Sequence, residues 1–173
     1  TTLTLALAIG GSTSIFSVVH AVLLRPFPWP ESERLVALFQ DYDGQPGSIS
    51  PTNFMDWRAE SRLFDGMSAF NTTSYTLTGR GDAVQINAAV VTGGFFDVLR
   101  ATPVHGRLLG ATEEQPGEDR TVVLSHGFWQ RMFGADPSVV GTAIQLDGES
   151  YQVVGILRPG LEYPADVEMW APL

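Results

Sequence analysis

Ser125 and His126 are adjacent, the one point where this chain sets a hydroxyl directly beside an imidazole. A hydrolase would use such residues as nucleophile and general base. Neighbours at a helix start point their side chains apart, however, and the G-x-S-x-G elbow that exposes a nucleophilic serine is absent. Capping of the helix that follows accounts better for Ser125. The other histidines are His20, in an apolar segment, and His105, in a loop. None has a partner at metal-ligand spacing such as H-E-x-x-H, and the two outside the apolar segment read as surface residues. Glu113, Glu114, Glu118 and Asp119 could together draw a divalent cation. Their spacing lacks the regular acidic ladder and central glycine of a calcium loop, so residues 110–120 read as a solvated acidic loop. Arg80-Gly81-Asp82 spells an adhesion tripeptide, but a glycine-rich hairpin turn explains it. No Walker A or dinucleotide fingerprint occurs, so the chain carries no ATP site of its own. The residues therefore nominate no catalytic, cofactor-binding or metal site.

The composition points the same way. The chain has 173 residues, with 10 basic against 19 acidic residues and a net charge of −9. A nucleic-acid binder would need a basic face to neutralise phosphates, so none is expected as a partner. The absence of cysteine excludes disulfides and thiolate metal sites. The 18 glycines and 11 prolines mark many turns and hence many short elements.

Residues 1–24 contain no Lys, Arg, Asp or Glu, and Pro26, Pro28 and Pro30 follow Arg25 at once. A membrane helix needs about 20 mostly apolar residues, and proline stops a helix by removing a donor and clashing with the preceding turn. A membrane helix at residues 1–24 is therefore expected. A signal peptide would show a basic leading region and a small-residue cleavage site, and neither is visible. Arg25 by itself weakly favours a cytoplasmic downstream side.

The rest of the chain must position whatever function there is. Residues 35–40 read as a strand. Ser50 and Pro51 open a helix, with Phe54, Trp57, Ser61, Phe64 and Met67 at helical spacing as a core-facing stripe. Residues 67–78 are polar and β-prone, and residues 83–91 return as a strand with Val84, Ile86, Ala88 and Val90 on one face. Thr92 caps a short helix that buries Phe95, Phe96 and Leu99. Pro103 and Gly106 punctuate a loop. Residues 121–124 form a buried strand, and residues 126–133 a helix burying Phe128, Trp129, Met132 and Phe133. Gly134 stands where a left-handed closing residue is wanted. Asp136-Pro137 starts another turn, closed by Gly141. Residues 142–146 and 151–157 pair through Asp147-Gly148, with Ile144 and Leu146 set against Tyr151 and Val153.

Taken in order, LALAIGGSTSIFSVVHAVLLRPFPWPESERLV, SPTNFMDWRAESRLFDGMSAF, VVTGGFFDVLRATPVHGRLL, VVLSHGFWQRMFGADPSVVGTAIQLDGESYQVVGIL and MWAPL resemble the MacB-like periplasmic core domain of permease subunits in the MacB/FtsX superfamily of ABC transporters. No single motif is diagnostic, but five in sequence are quite specific. The resemblance implies an α+β fold. Residues 1–24 would be the outer part of the first transmembrane helix, residues 25–91 the first half of a mixed α/β porter-like subdomain, and residues 92–173 a β-rich sabre-like subdomain, with the second porter half absent from this fragment. It places the residues after about 25 outside the bacterial inner membrane, against the weak bias of Arg25. It also implies a non-catalytic domain that transmits ATP-driven conformational change for export or envelope work. The implied partners are a cytoplasmic ABC ATPase, a second permease copy in a homodimer, lipid around residues 1–24, and a periplasmic partner or exported substrate. Two positions depart from the family pattern. Arg100 stands where glycine is usual, so the short helix is expected to end without a left-handed residue, and His105 stands where an apolar residue is common. The alternative from the residues alone is a membrane-anchored extracytoplasmic binding module without an ATPase.

Overall fold

The computed structural model describes residues 29–173 apart from residues 43, 116 and 118. The apolar stretch at residues 1–24, with His20, lies outside them. Among the described residues no helix is long and apolar enough to cross a membrane. The elements run β1 (Gln40–Tyr42), β2 (Gln45–Gly47), α1 (Pro51–Glu60), β3 (Phe70–Thr78), β4 (Val84–Val91), α2 (Phe95–Val98), β5 (Pro103–Gly106), β6 (Thr121–Leu124), α3 (His126–Phe133), β7 (Ala143–Leu146), β8 (Glu149–Leu157) and β9 (Met169–Pro172). This is a mixed α/β arrangement with one large sheet and few helices.

The large sheet is ordered β5-β8-β6-β9-β4-β3-β7, and β7 pairs again with β8. Six of its strands thus close on themselves, with β5 appended to β8. The β4–β9 and β6–β8 pairs are parallel and the other pairs antiparallel. The β7–β8 turn puts Asp147 at φ 49° and Gly148 at φ 82°, the two left-handed residues that match the twist of a tight hairpin. Ile144 stands opposite Tyr151, as its apolar pattern predicts, but Leu146 stands opposite Glu149 rather than Val153, because the tight turn fixes the register.

Two apolar clusters occupy opposite faces of the sheet. Ile86, Ala88, Val122, Leu124, Met169 and Ala171 point to the first, together with Phe128, Trp129 and Phe133 of α3. Ala89, Val91, Val123 and Trp170 point to the second, covered by Phe95 and Phe96 of α2. Strands β6 and β9, and β4 from Ala88 onward, are therefore buried on both faces, which is why they read as apolar runs rather than clean alternation. The single buried face expected for residues 83–91 was half of the arrangement.

Three local expectations fail for identifiable reasons. The strand expected at residues 35–40 is paired only from Gln40 onward; residues 35–39 meet no ladder among the described residues, and Val36 and Phe39 are 63% and 65% exposed. Helix α1 ends at Glu60 because Ser61 turns to extended backbone, φ −70° and ψ 130°. Phe64 and Met67 consequently leave the helical stripe, and of its apolar members only Phe54 is buried in α1. Thr92 does not cap α2; its hydroxyl accepts from the Ala69 N–H at 2.9 Å, and Gly94, left-handed at φ 81°, holds the cap position.

Pro103–Gly106 is a strand, not a loop, and its pairing with β8 skips one residue between Pro103 and His105. Arg100 adopts the left-handed conformation itself, at φ 51°, so the turn geometry expected of glycine is kept with a side chain on it. That side chain pairs with Glu31.

Candidate functional site

Helix α3 is fixed by its cap. The Ser125 hydroxyl is buried and accepts from the Phe128 N–H at 3.1 Å, while the Ser125 N–H donates to the Glu168 carbonyl at 2.8 Å. Both groups are thus committed to structure. Ser125→Ala should lower stability by about 1 kcal/mol through loss of the cap. Urea denaturation reads that loss, and a measured hydrolytic turnover that vanished with the fold intact would overturn this assignment.

His126 sets its ring edge against Trp129, centroids 5.3 Å apart, and His105 from β5 approaches the same indole at 5.4 Å. Both histidines are half-buried packing partners rather than the free surface residues expected. The indole N–H of Trp129 donates to the Asp136 carbonyl at 2.8 Å, tying α3 to the turn that follows. The Ser138 N–H and hydroxyl bond the Asp136 carboxylate and hold its pKa below the ordinary value.

The acidic loop is half structural. Glu113 is only 3% exposed; its carboxylate accepts from the Gly110 N–H at 2.8 Å and pairs with Arg107 at 2.5 Å. Burial pushes its pKa up, but these bonds outweigh burial and leave it lowered. Glu114 accepts from the Gly93 N–H at 2.7 Å and pairs with Arg58 at 3.3 Å, bracing α1 against the start of α2. Asp119 is exposed, and Glu118 lies outside the described residues. The expectation of a solvated loop is corrected for Glu113, whose carboxylate the Gly110 N–H and Arg107 draw in; Glu114 stays exposed while bonding the Gly93 N–H. Among the described residues no three acidic or histidine side chains gather as a metal site.

A depressed carboxylate pKa stabilises the fold fully above its unfolded value, and that contribution is lost as pH falls through the folded value. Stability should therefore decline on acidification below the ordinary glutamate pKa of 4.5. Glu113→Gln should cost about 1–3 kcal/mol at neutral pH and flatten that decline, as measured by urea midpoints across the acid range.

Arg80 of the RGD turn lies over the Phe133 ring, 4.5 Å from its centroid, which gives its guanidinium a packing role.

Two concave surfaces stand out among the described residues. A groove of about 540 Å³ is lined by Thr72, Ser74, Gln85, Asn87 and Asp166, among others. A smaller apolar one of about 290 Å³ lies between Leu38, Trp57, Phe64 and Met67. Neither contains a nucleophile–base pair. The first is suited to hydrogen-bonded binding, the second to apolar contact. Sequence reasoning missed both: the polar run at residues 67–78 signals a strand but not which groups it leaves open.

Nothing among curated proteins matches the chain. The extracellular domain of the noncanonic ABC-type transporter YknZ from Gram-positive bacteria is similar in structure, with a TM-score of 0.61 and 19% identity over 78% of this chain and 70% of that one. The periplasmic region of MacB from Actinobacillus actinomycetemcomitans is similar at a TM-score of 0.58 and 16% identity, covering 70% of this chain. This chain spans 54% of that region's length. At such identities the likeness shows the fold. The family model described as the MacB-like periplasmic core domain matches residues 1–173. The chain therefore belongs to the MacB-like periplasmic core domain family.

Proposed function

We propose that this chain is the extracytoplasmic core of an ABC transporter permease, without catalytic chemistry of its own, and that it relays ATP-driven motion to an exported substrate or an envelope partner. The observation that carries this reading is the family match along residues 1–173. The likeness in fold to the YknZ and MacB domains supports it. Residues 1–24 then serve as the outer part of the first membrane helix, residues 25–91 as the first porter-like half and residues 92–173 as the sabre-like subdomain. Strands β3 and β4 of the first part complete one sheet with β5–β9 of the second. The parallel β4–β9 ladder would make the two parts move together. A cytoplasmic ABC ATPase, a second permease copy and lipid around residues 1–24 are the partners this mechanism requires. A relay needs two states whose balance the ATPase shifts.

The test uses the intact permease purified from membranes. An ATPase should co-purify. A spin label at Leu63→Cys, a position 90% exposed in a stretch without cysteine, with any cysteines elsewhere in the permease replaced, should change its distance to the same label in the second copy between the ATP-bound and nucleotide-free states. Unchanged distances during ATP turnover would sink the relay, and a permease that purifies with no ATPase would favour the simple binding module.

A further inference from the structure

The sheet closes between β3 and β7 through only two residue pairs, Leu77 with Leu146 and Thr78 with Gln145. Just beyond them, Thr76 donates its N–H to the Asp147 carboxylate at 2.8 Å, and its carbonyl accepts from the Asp147 N–H at 3.0 Å. There the closure stops, because β7 turns away at Asp147-Gly148. Antiparallel alternation fixes what the rest of β3 does. The Thr92 N–H reaches the Ala69 carbonyl at 3.0 Å, so the odd-numbered residues of β3 bond to β4. Phe70, Thr72 and Ser74 then aim both N–H and C=O away from β4. All three are exposed, and among the described residues no strand pairs with them on that side.

Natural proteins protect such edges with lysine, proline or a bulge. This one has none of these: β3 reads FNTTSYTLT, without charge or proline, and its register with β4 is unbroken. The large polar groove runs alongside, with Thr72 and Ser74 of β3 and Gln85 and Asn87 of β4 on its floor. A segment bonded to the edge would lay every second side chain into that groove.

We propose that the edge from Phe70 to Ser74 is a docking site for an extended polypeptide segment, which joins the sheet as an added strand and places hydroxyl or amide side chains in the groove. Main-chain bonds supply the attachment and the groove supplies the preference. A second copy of this chain fits less well. Five strand residues span only about 17 Å, and two folded domains meeting along that line would fall short of the roughly 1,000 Å² that a stable interface needs. A peptide uses both the edge and the groove. Acidic segments should be refused, given Asp166 in the groove, Asp147 beside Thr76 where the open edge ends, and the net charge of −9. The site stands independently of the transport mechanism.

Hydrogen exchange resolved by residue on the intact permease tests this. The probe is a synthetic nonapeptide of alternating threonine and asparagine, with alternating threonine and glutamate as comparison. The amides of Phe70, Thr72 and Ser74 should exchange rapidly in the free protein and slow at least 10-fold with the threonine–asparagine probe, but not with the acidic one. Thr72→Pro should abolish the slowing and leave the odd-numbered amides protected, since it removes only an outward N–H, where proline is tolerated. If that variant fails to fold, the wild-type contrast between the two probes decides. Four results would overturn the proposal: outward amides already slow without probe, slowing that follows permease concentration alone, none at millimolar probe, or slowing that survives Thr72→Pro.

Discussion

Gly155→Ala should strip β5 from β8 and lower unfolding stability by about 3 kcal/mol, at the upper end of what overpacking costs. A β-carbon at Gly155 would stand 1.9 Å from the Arg107 carbonyl oxygen and 2.9 Å from its carbonyl carbon. These are backbone atoms, so no side-chain rotation relieves the clash. The closeness has a local cause. The β6–β8 register skips a residue between Val122 and Val123, where Val154 is the extra residue on β8. The skip lets Val153 and Ile156 both face the first cluster while Val154 and Leu157 face the second. At that bulge the Arg107 N–H bonds the Val154 carbonyl at 2.9 Å, drawing the two backbones together. Gly106, paired with Gly155, is pinned too: a β-carbon there would meet the Val154 carbonyl oxygen at 2.2 Å, at a backbone φ of 70°. Urea denaturation of the variant should show the loss, and hydrogen exchange should show the β5 amides opening first. A variant within 1 kcal/mol of wild type would mean that β5 is held elsewhere.

Trp170→Ala should cost about 3–5 kcal/mol, the range for removing a large buried aromatic side chain. Trp170 is fully buried on β9, between Ala89 of β4 and Val123 of β6. Its ring meets Phe96 edge-on at 5.8 Å, and its indole N–H donates to the Tyr163 carbonyl at 2.8 Å. Truncation therefore opens a cavity in the second cluster and releases the 158–168 connection from the sheet. Trp170→Phe keeps most of the volume but loses the donor, so a smaller loss of about 1–2 kcal/mol is expected. If both variants unfold at the same urea concentration, the hydrogen bond dominates and the cavity argument is wrong.

Both effects lie where local pattern is least informative. The stretch from β6 to β8 was legible because its signals act within a few residues. Ser125 caps, Gly134 closes α3 at φ 61°, and Asp147-Gly148 makes the hairpin. The bounds of α3 come out as the cap and closing glycine predict. Strand β5 was hidden because proline and glycine in four residues look like punctuation, and only β8 makes Pro103–Gly106 a strand. Glu113 reads as solvent-facing charge in the sequence, because the Gly110 N–H that holds it inside is a matter of chain path. The stripe from Phe54 to Met67 has the right period, but period says nothing of where a helix stops, and Ser61 stops it. The open edge of β3 was likewise invisible, since it depends on where β7 turns away from it.

The position of β9 bears on how the chain reaches its native state. Residues 169–172 come after the other described strands in chain order, yet they sit in the middle of the sheet between β4 and β6. Before they arrive, β4 and β6 have no backbone partner for each other, and the two clusters lack Met169, Trp170 and Ala171. The β4–β9 ladder joins residues about 80 positions apart in a parallel pairing, the kind of non-local contact that places folding in the millisecond-to-second range. As the chain is synthesised or passes a membrane from its N-terminal end, residues 70–157 must wait as an incomplete sheet. A kinetic vulnerability thus falls on the interval before β9 is delivered to the strands made ahead of it.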